Sequence, residues 1–399
     1  MYTAKQWVLI DSGSQFGLDK KHFHERLAFG REVLDMVKEG QDMAPWIEKA
    51  DEPEMFAKSL LTIQDALEGK PNGHLIGLDA ASSGPQLLSV LGRCDIGMSN
   101  TGALGYEVPD LYTTIYEQMD CEKLVRSQVK KACVPFVYGS EKAPTDVFGE
   151  DAPMFVLAYK TTVPTAYAVR ELLLAAWKED ALSYTWPLPD NHTAHIEVFV
   201  TEDIKGKFLN KSYIQRIKMK KAKKKGMSLP AHVTHSYDSF VGRELTARCG
   251  WSEDLVEGIA AIKHHLNHGS LLDAPVDLLE LEYLTQQFNF TSVQGFEFIK
   301  RGCLGGLTRA YLTDLMELGM RCIKYPSFDV RSIHDEFGCL PNHVTQMQRG
   351  YNQILSESYE SEWLAVVLKK LTSVDFSKAI PEPDPVITNQ LKEAKYAIH

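Results

Sequence analysis

Residues 328–341 read FDVRSIHDEFGCLP. Apolar residues flank one acid, Asp335, and the pattern predicts a strand, a tight turn and a second strand. A second apolar run, HLIGLD at 74–79, also ends in an acid, Asp79, and reads most simply as a buried strand. A carboxylate among strand residues is costly to bury unless it is paired or holds a cation. Taken alone, each acid is equally a strand-end cap or a turn residue. If the two strands are neighbours, the acids meet and form a site for two divalent cations about 4 Å apart. Such a pair stabilises both the attacking and the leaving oxygen in phosphoryl transfer.

Outward from these strands the spacing is mostly helical. Apolar residues recur with helical period over 20–40, 53–68 and 84–92, around 108–138, and over 164–180. Helices are expected again at 234–248, 253–268, 275–289, 306–321, 342–357 and 360–371. TWPLPDNHTAHIEVFV (185–200) reads as a hairpin turning at Pro189 to His192. The alternating prolines of IPEPDPVI (380–387) argue against a helix there. The fold class is therefore mixed α+β, helix-rich, with short strands far apart in sequence.

The chain has 399 residues, 44% of them hydrophobic, enough for two or three subdomains with their own cores. No run of about 18 apolar residues is present, so no membrane span is expected, and the N-terminus lacks the pattern of a signal peptide. Seven cysteines without a CxxC pair suggest thiols in a reducing cytoplasm. A net charge of −10 argues against general nucleic-acid binding, yet ten Lys or Arg and no acid lie between Lys205 and Lys225. That strip is either a solvated surface or a contact for a phosphate backbone.

VRSQVKKACVPFVYG (125–139) supplies a further element. Arg126, Lys130, Val134 and Tyr138 recur every four residues, so a helix would carry two cations and a phenol along about 18 Å of one face. That length suits a nucleoside triphosphate, with Arg126, Lys130 and Lys131 on phosphate and Tyr138 by the sugar. The same spacing also fits an ordinary amphipathic helix capped by Gly139, and Pro135 should kink it.

Taken together, these segments resemble the catalytic part of the single-subunit RNA polymerases of phages and mitochondria, distant kin of the family A DNA polymerases. A D-x-x-x-S-G-x-Q motif matches Asp79, Ser83, Gly84 and Gln86, with Arg93 at the next basic position. R-x-x-x-K-[RK]-x-x-x-x-x-x-Y-G matches Arg126, Lys130, Lys131, Tyr138 and Gly139. H-S-x-D matches His235, Ser236 and Asp238, and H-D-x-F-G matches His334, Asp335, Phe337 and Gly338. All four stand in family order, and weaker similarity includes DLY (110–112) and SYES (358–361).

The resemblance implies a right-hand nucleotidyltransferase of palm and fingers, with palm entry over 1–95, fingers over 96–230 and the remaining palm over 231–399. The nucleotide-binding helix would be 121–139, and an inserted helical bundle would occupy about 250–325. Two Mg²⁺ ions would be held by Asp79 and Asp335, with the backbone near Ala80 as a further ligand. Lys130 would bind the triphosphate, assisted by Arg126 and Lys131, and Tyr138 and His235 would meet the ribose beside Ser83 and Gly84. Where the related DNA polymerases carry a bulky glutamate that excludes the 2′-hydroxyl, this chain has Gly84, which favours RNA synthesis. Glu336 points the other way, toward a DNA polymerase; a catalytically inactive nucleic-acid-binding subunit is the remaining alternative.

Only 78 residues precede Asp79, and no D-x-x-G-R motif occurs among them. The expected arrangement is a split enzyme lacking thumb and N-terminal domain, as in the heterodimeric polymerases of N-four-like phages, although an experimental fragment would look the same. A second polymerase subunit would then supply the missing parts, with DNA template, RNA transcript and ribonucleoside triphosphates as ligands. The 185–200 hairpin stands at the family's promoter-reading loop without an arginine at its tip, so a single-stranded-DNA-binding recruiter or a melted template is expected. The setting implied is the cytoplasm of an infected bacterium. In the insertion, His264 and His268 are one turn apart, but lacking a nearby acid or cysteine pattern they read as a solvated face.

Overall fold

A computed structural model describes residues 2–120 and 125–399. The chain is helix-rich with small sheets, as its periodicity predicts. The strands are β1 (Ile76–Asp79), β2 (Ser183–Pro187), β3 (Thr193–Glu197), β4 (Phe199–Phe208), β5 (Lys211–Lys220), β6 (Leu272–Asp273), β7 (Cys303–Gly305), β8 (Arg331–Ile333) and β9 (Glu336–Cys339). Three of them form one antiparallel sheet in the order β1-β9-β8. Leu78 pairs with Phe337 and Asp79 with Glu336, while β8 and β9 are joined by a two-residue turn of His334 and Asp335. His334 takes a left-handed φ of 55° to close that turn.

Buried Ile76, Leu78, Phe337 and Cys339 bind this small sheet to the main core. Three strands cannot hold themselves flat in water, so the helices packed on them set their position. The helix Ala4–Gly13 places Asp11 against His74, two residues before β1, with Oδ2 and Nε2 2.7 Å apart and both side chains buried. Its neighbour Phe23–Lys38 crosses close by at Gly30, where a Cβ would come within 2.1 Å of the Leu9 carbonyl. Only glycine permits that crossing.

After β1 the chain turns directly into the helix Ser83–Leu91, buried along its whole length. Gln86 is fixed from three sides, donating to the Thr101 and Ala397 carbonyls and accepting from the Tyr351 hydroxyl. Arg93, at φ 54°, donates to the carbonyls of Tyr359, Pro381 and Ser361 and to the Glu362 carboxylate. The basic position after the first motif thus staples the C-terminal segment to this helix. The long helix Leu229–Cys249 packs across it, burying Val233, Tyr237, Phe240, Val241 and Leu245.

A second, separate core is built from residues of 255–318, among them Ile262, Leu278, Phe296, Leu312 and Leu315. It is the expected bundle near 250–325, and it starts and stops at one place, since the Phe328 N–H donates to the Cys249 carbonyl at 3.0 Å. A buried chain of charges joins it to the rest. Glu244 accepts from Arg248, Ser292 and the Val293 N–H, while Glu357 pairs with Arg248 and Arg321.

Several expectations are corrected. The proline-rich tail does form a helix, Pro385–Lys392, because its last proline stands at the first turn where no N–H is needed. The strip at 205–225 is largely a regular two-stranded ribbon, β4 with β5, which reads as a charge run in the sequence. The 185–200 hairpin is observed as β2 with β3 and ends at Glu197; its turn is braced where Asp190 accepts from Arg243 at 2.7 Å and Trp363 donates to the Pro187 carbonyl. The helix expected at 121–139 is observed as Arg126–Val137; residues 121–124 lie outside those described.

Replacing Asp11 with Ala leaves His74 buried without its partner and should cost about 3 kcal/mol of stability. The check is the urea midpoint at unchanged slope; a shift worth under about 1 kcal/mol would show that the pair contributes little.

Candidate active site

β1 ends on Asp79, and the β8–β9 turn carries Asp335 beside it, so two segments 256 residues apart in sequence place their acids at one sheet edge. Glu336 stands opposite Asp79, and its side chain lies over Gly77, where a Cβ would come within 2.3 Å of Oε1. Asp238 joins them from the helix Leu229–Cys249. Lost hydration, then the charges of Asp335 and Glu336, push the Asp79 carboxyl up to about 6, against a hydrogen bond from the Ala80 N–H and the charge of Lys20. Burial, then Asp335 and Asp79, push Asp238 up to about 7, opposed by a hydrogen bond from Ser83.

The helix Arg126–Val137 reaches this cluster at its C-terminal end. It runs through Pro135, and Tyr138 sits at its end, stacked on His235 with centroids 4.4 Å apart and planes 25° off parallel. Gly84 lies beneath the phenol: a Cβ there would come within 3.2 Å of the Tyr138 hydroxyl and 3.3 Å of Thr234 Cγ2. Burial, then Asp238 and Asp335, raise the Tyr138 hydroxyl well above its ordinary value, so it stays a proton donor. Burial lowers His235 against the pull of Asp335, which favours the neutral ring.

At its first turn, Arg126 is held by Asp110, Nε to Oδ2 at 2.7 Å and the second nitrogen to Oδ1 at 2.8 Å. The Tyr112 ring lies 5.5 Å from the Arg126 guanidinium and 5.9 Å from Lys130 Nζ. Burial, then Cys133, push the Tyr112 hydroxyl up to about 12, opposed by a hydrogen bond with Ser82. Lys130 and Lys131 are exposed.

The structure therefore brings together Asp79, Asp335, Tyr138, His235, Ser83 and Gly84, with Ala80 contributing its backbone. Arg126 is engaged by a carboxylate rather than free for phosphate. Asp238, Glu336 and Tyr112 belong to the same site although they were not among the expected site residues. The signal for Asp238 was the last letter of H-S-x-D, and for Tyr112 the DLY segment.

No protein-family model matches the chain, and no curated protein matches it.

Among the described residues, no three His, Cys, Asp or Glu side chains are grouped to hold a metal ion by themselves. Mg²⁺ does not need such a cage, because it binds through one or two carboxylates and completes its shell with water and substrate phosphate. Crowded acids form a donor set whose mutual repulsion a divalent cation would relieve, so Asp79 and Asp335 fit the ion. His264 and His268 lie on one helix face with rings 4.9 Å apart, without a third ligand. Beyond the acids, a cleft of about 1230 Å³ continues from His235, Asp238 and His334 along Ser239, Gly242 and Thr246 to the second core.

A carboxyl whose folded pKa lies above its unfolded value near 4 binds extra protons when folded, so stability falls as pH rises between about 4 and 7. In metal-free protein, Asp79→Asn should raise the Tm near neutral pH by about 1–2 °C and flatten its pH dependence over that interval. An unchanged or lowered Tm at neutral pH would contradict the repulsion described.

Proposed function

We propose that this chain is the catalytic subunit of a phage-type DNA-directed RNA polymerase, transferring ribonucleotides to an RNA 3′ end. The observation that carries the reading is the layering of Gly84, Tyr138 and His235 beside the Asp79–Asp335 pair. Those two carboxylates would hold two Mg²⁺ ions, which when bound offset phosphoryl charge and favour deprotonation of the 3′-hydroxyl. In this reading β1 and the β8–β9 hairpin belong to a palm, and Arg126–Val137 to fingers.

The side chains divide the remaining work. Lys130, on the exposed face of its helix, supplies a fixed cation where charge gathers on the leaving phosphates. Arg126 reaches phosphate by exchanging the Asp110 carboxylate for it, and Lys131 adds charge at the same end. The Tyr138 hydroxyl stays protonated and donates near the sugar, held flat by the His235 ring. Gly84 puts no side chain against that phenol, where even a Cβ would meet the hydroxyl at 3.2 Å, and the lack of a side chain there supports acceptance of a ribose 2′-hydroxyl. A second reading, template-directed DNA synthesis, rests on Glu336 opposite Asp79.

Extension of an RNA–DNA hybrid with Mg²⁺, by the chain alone and with its co-expressed neighbour as the second subunit, is the decisive assay. Ribonucleotide addition that is abolished in Asp335→Asn is expected. Gly84→Glu should lower the kcat/KM ratio of ribo- to deoxyribonucleotides at least about tenfold, because the added side chain would press on the phenol that meets the sugar. Preference of the unaltered protein for deoxyribonucleotides would move the conclusion to the second reading. Failure to extend under any pairing would overturn both.

A further inference from the structure

The β4–β5 ribbon divides its residues by face. The cross-strand pairs Phe199–Lys220, Thr201–Lys218, Asp203–Arg216, Lys205–Ile214 and Lys207–Ser212 share one face and make it basic. The pairs Val200–Met219, Glu202–Ile217, Ile204–Gln215, Gly206–Tyr213 and Phe208–Lys211 share the other and make it largely apolar. Each strand has ten residues, so the ribbon is about 30 Å long. It closes through Leu209 and Asn210, both at positive φ, as a two-residue hairpin requires. Its root is tied down where Trp177 donates to the Lys223 carbonyl.

Charge is unevenly neutralised along this length. Toward the root, Lys220 pairs with Glu197, Lys221 with Glu202 and Arg216 with Asp203. Toward the tip, Lys205, Lys207 and Lys211 have no carboxylate partner among the described residues. The same end exposes apolar surface: Phe208 is 71% and Leu209 82% exposed, and the Tyr213 ring lies over Gly206, half-exposed. Unpaired cations flanking open aromatic and aliphatic groups match the two halves of a single strand of nucleic acid, phosphates and unpaired bases. A groove on a protein would complement the apolar tip but would leave the lysines on both faces unanswered.

We infer that the tip of the β4–β5 ribbon is a binding site for single-stranded nucleic acid, with Phe208, Leu209 and Tyr213 against unpaired bases and Lys205, Lys207 and Lys211 on the phosphates between them. The inference rests on the reading of the chain as acting on nucleic acid and names the form the ribbon takes. Bases paired in a duplex hide their faces, so the apolar tip discriminates for unpaired strands, while the lysines alone would not.

The test is fluorescence anisotropy with a labelled oligothymidylate of about 12 nucleotides, and with a duplex of equal length, across a salt series without divalent ions or nucleotides. Phe208→Ser with Leu209→Ser should weaken single-strand binding about tenfold and leave the salt slope unchanged, and Tyr213→Leu should act in the same direction. Lys205→Gln with Lys207→Gln and Lys211→Gln should lower the slope by about 2. Tip variants that bind like the unaltered protein, or a duplex bound as tightly as the single strand, would overturn the inference. Tip-dependent binding by a protein that never extends a hybrid would sustain it while the polymerase reading falls. Extension with tip-independent binding would do the reverse.

Discussion

Repulsion between carboxylates is the constraint around which this molecule is arranged. Asp79, Asp335, Asp238 and Glu336 converge at one edge of a three-stranded sheet, and two of their carboxyls are pushed well above the ordinary range. A sheet so small would release that strain by shifting register. A one-residue slip of β1 on β9 would carry Asp79 to the opposite face and Leu78 out of the core. The register is held from outside, by Asp11 on His74, by Gln86 fixed from three sides, and by buried Leu78 and Phe337. These outside anchors hold together a group of like charges that would otherwise separate.

Much of this was legible in the sequence because local chemistry and tertiary position agreed. The helix Pro53–Glu68 starts at its proline and ends at Gly69 in the left-handed region, as expected, and Glu253–His268 matches its periodicity end to end. The β8–β9 hairpin was readable because an acid between apolar runs has few places to go. The β4–β5 ribbon was passed over because its lysines read as a charge run, although Ile217 and Met219 alternate with Lys218 and Lys220 as a strand requires. The helix at Pro385 was missed because the proline spacing that forbids a helix interior is harmless at its first turn.

Within the site, the motif letters located residues but not their partners. Nothing in the spacing of Arg126 indicated that Asp110 would take its guanidinium, or that the Tyr112 ring would lie 5.5 Å from it and 5.9 Å from Lys130 Nζ. Nor did it show that Tyr138 would be sandwiched by His235 and Gly84, an arrangement that needs three separate elements. Such contacts are long-range, and one-dimensional periodicity carries no information about them.

The hydrogen bond from Phe328 to the Cys249 carbonyl bears on how the chain could have acquired its second core. A segment whose entrance and exit are adjacent closes on itself, so the long helix before it and the hairpin after it meet as they would across a short turn. The entropy of closing a loop grows only with the logarithm of its length, and a bundle that buries its own apolar groups offsets even that. The bundle nevertheless stays tied to the main core beyond that junction, through Glu244 with Ser292 and Val293 and through Phe288 and Phe290. Insertions or deletions on the far side of those anchors would change the size of the bundle without opening the junction.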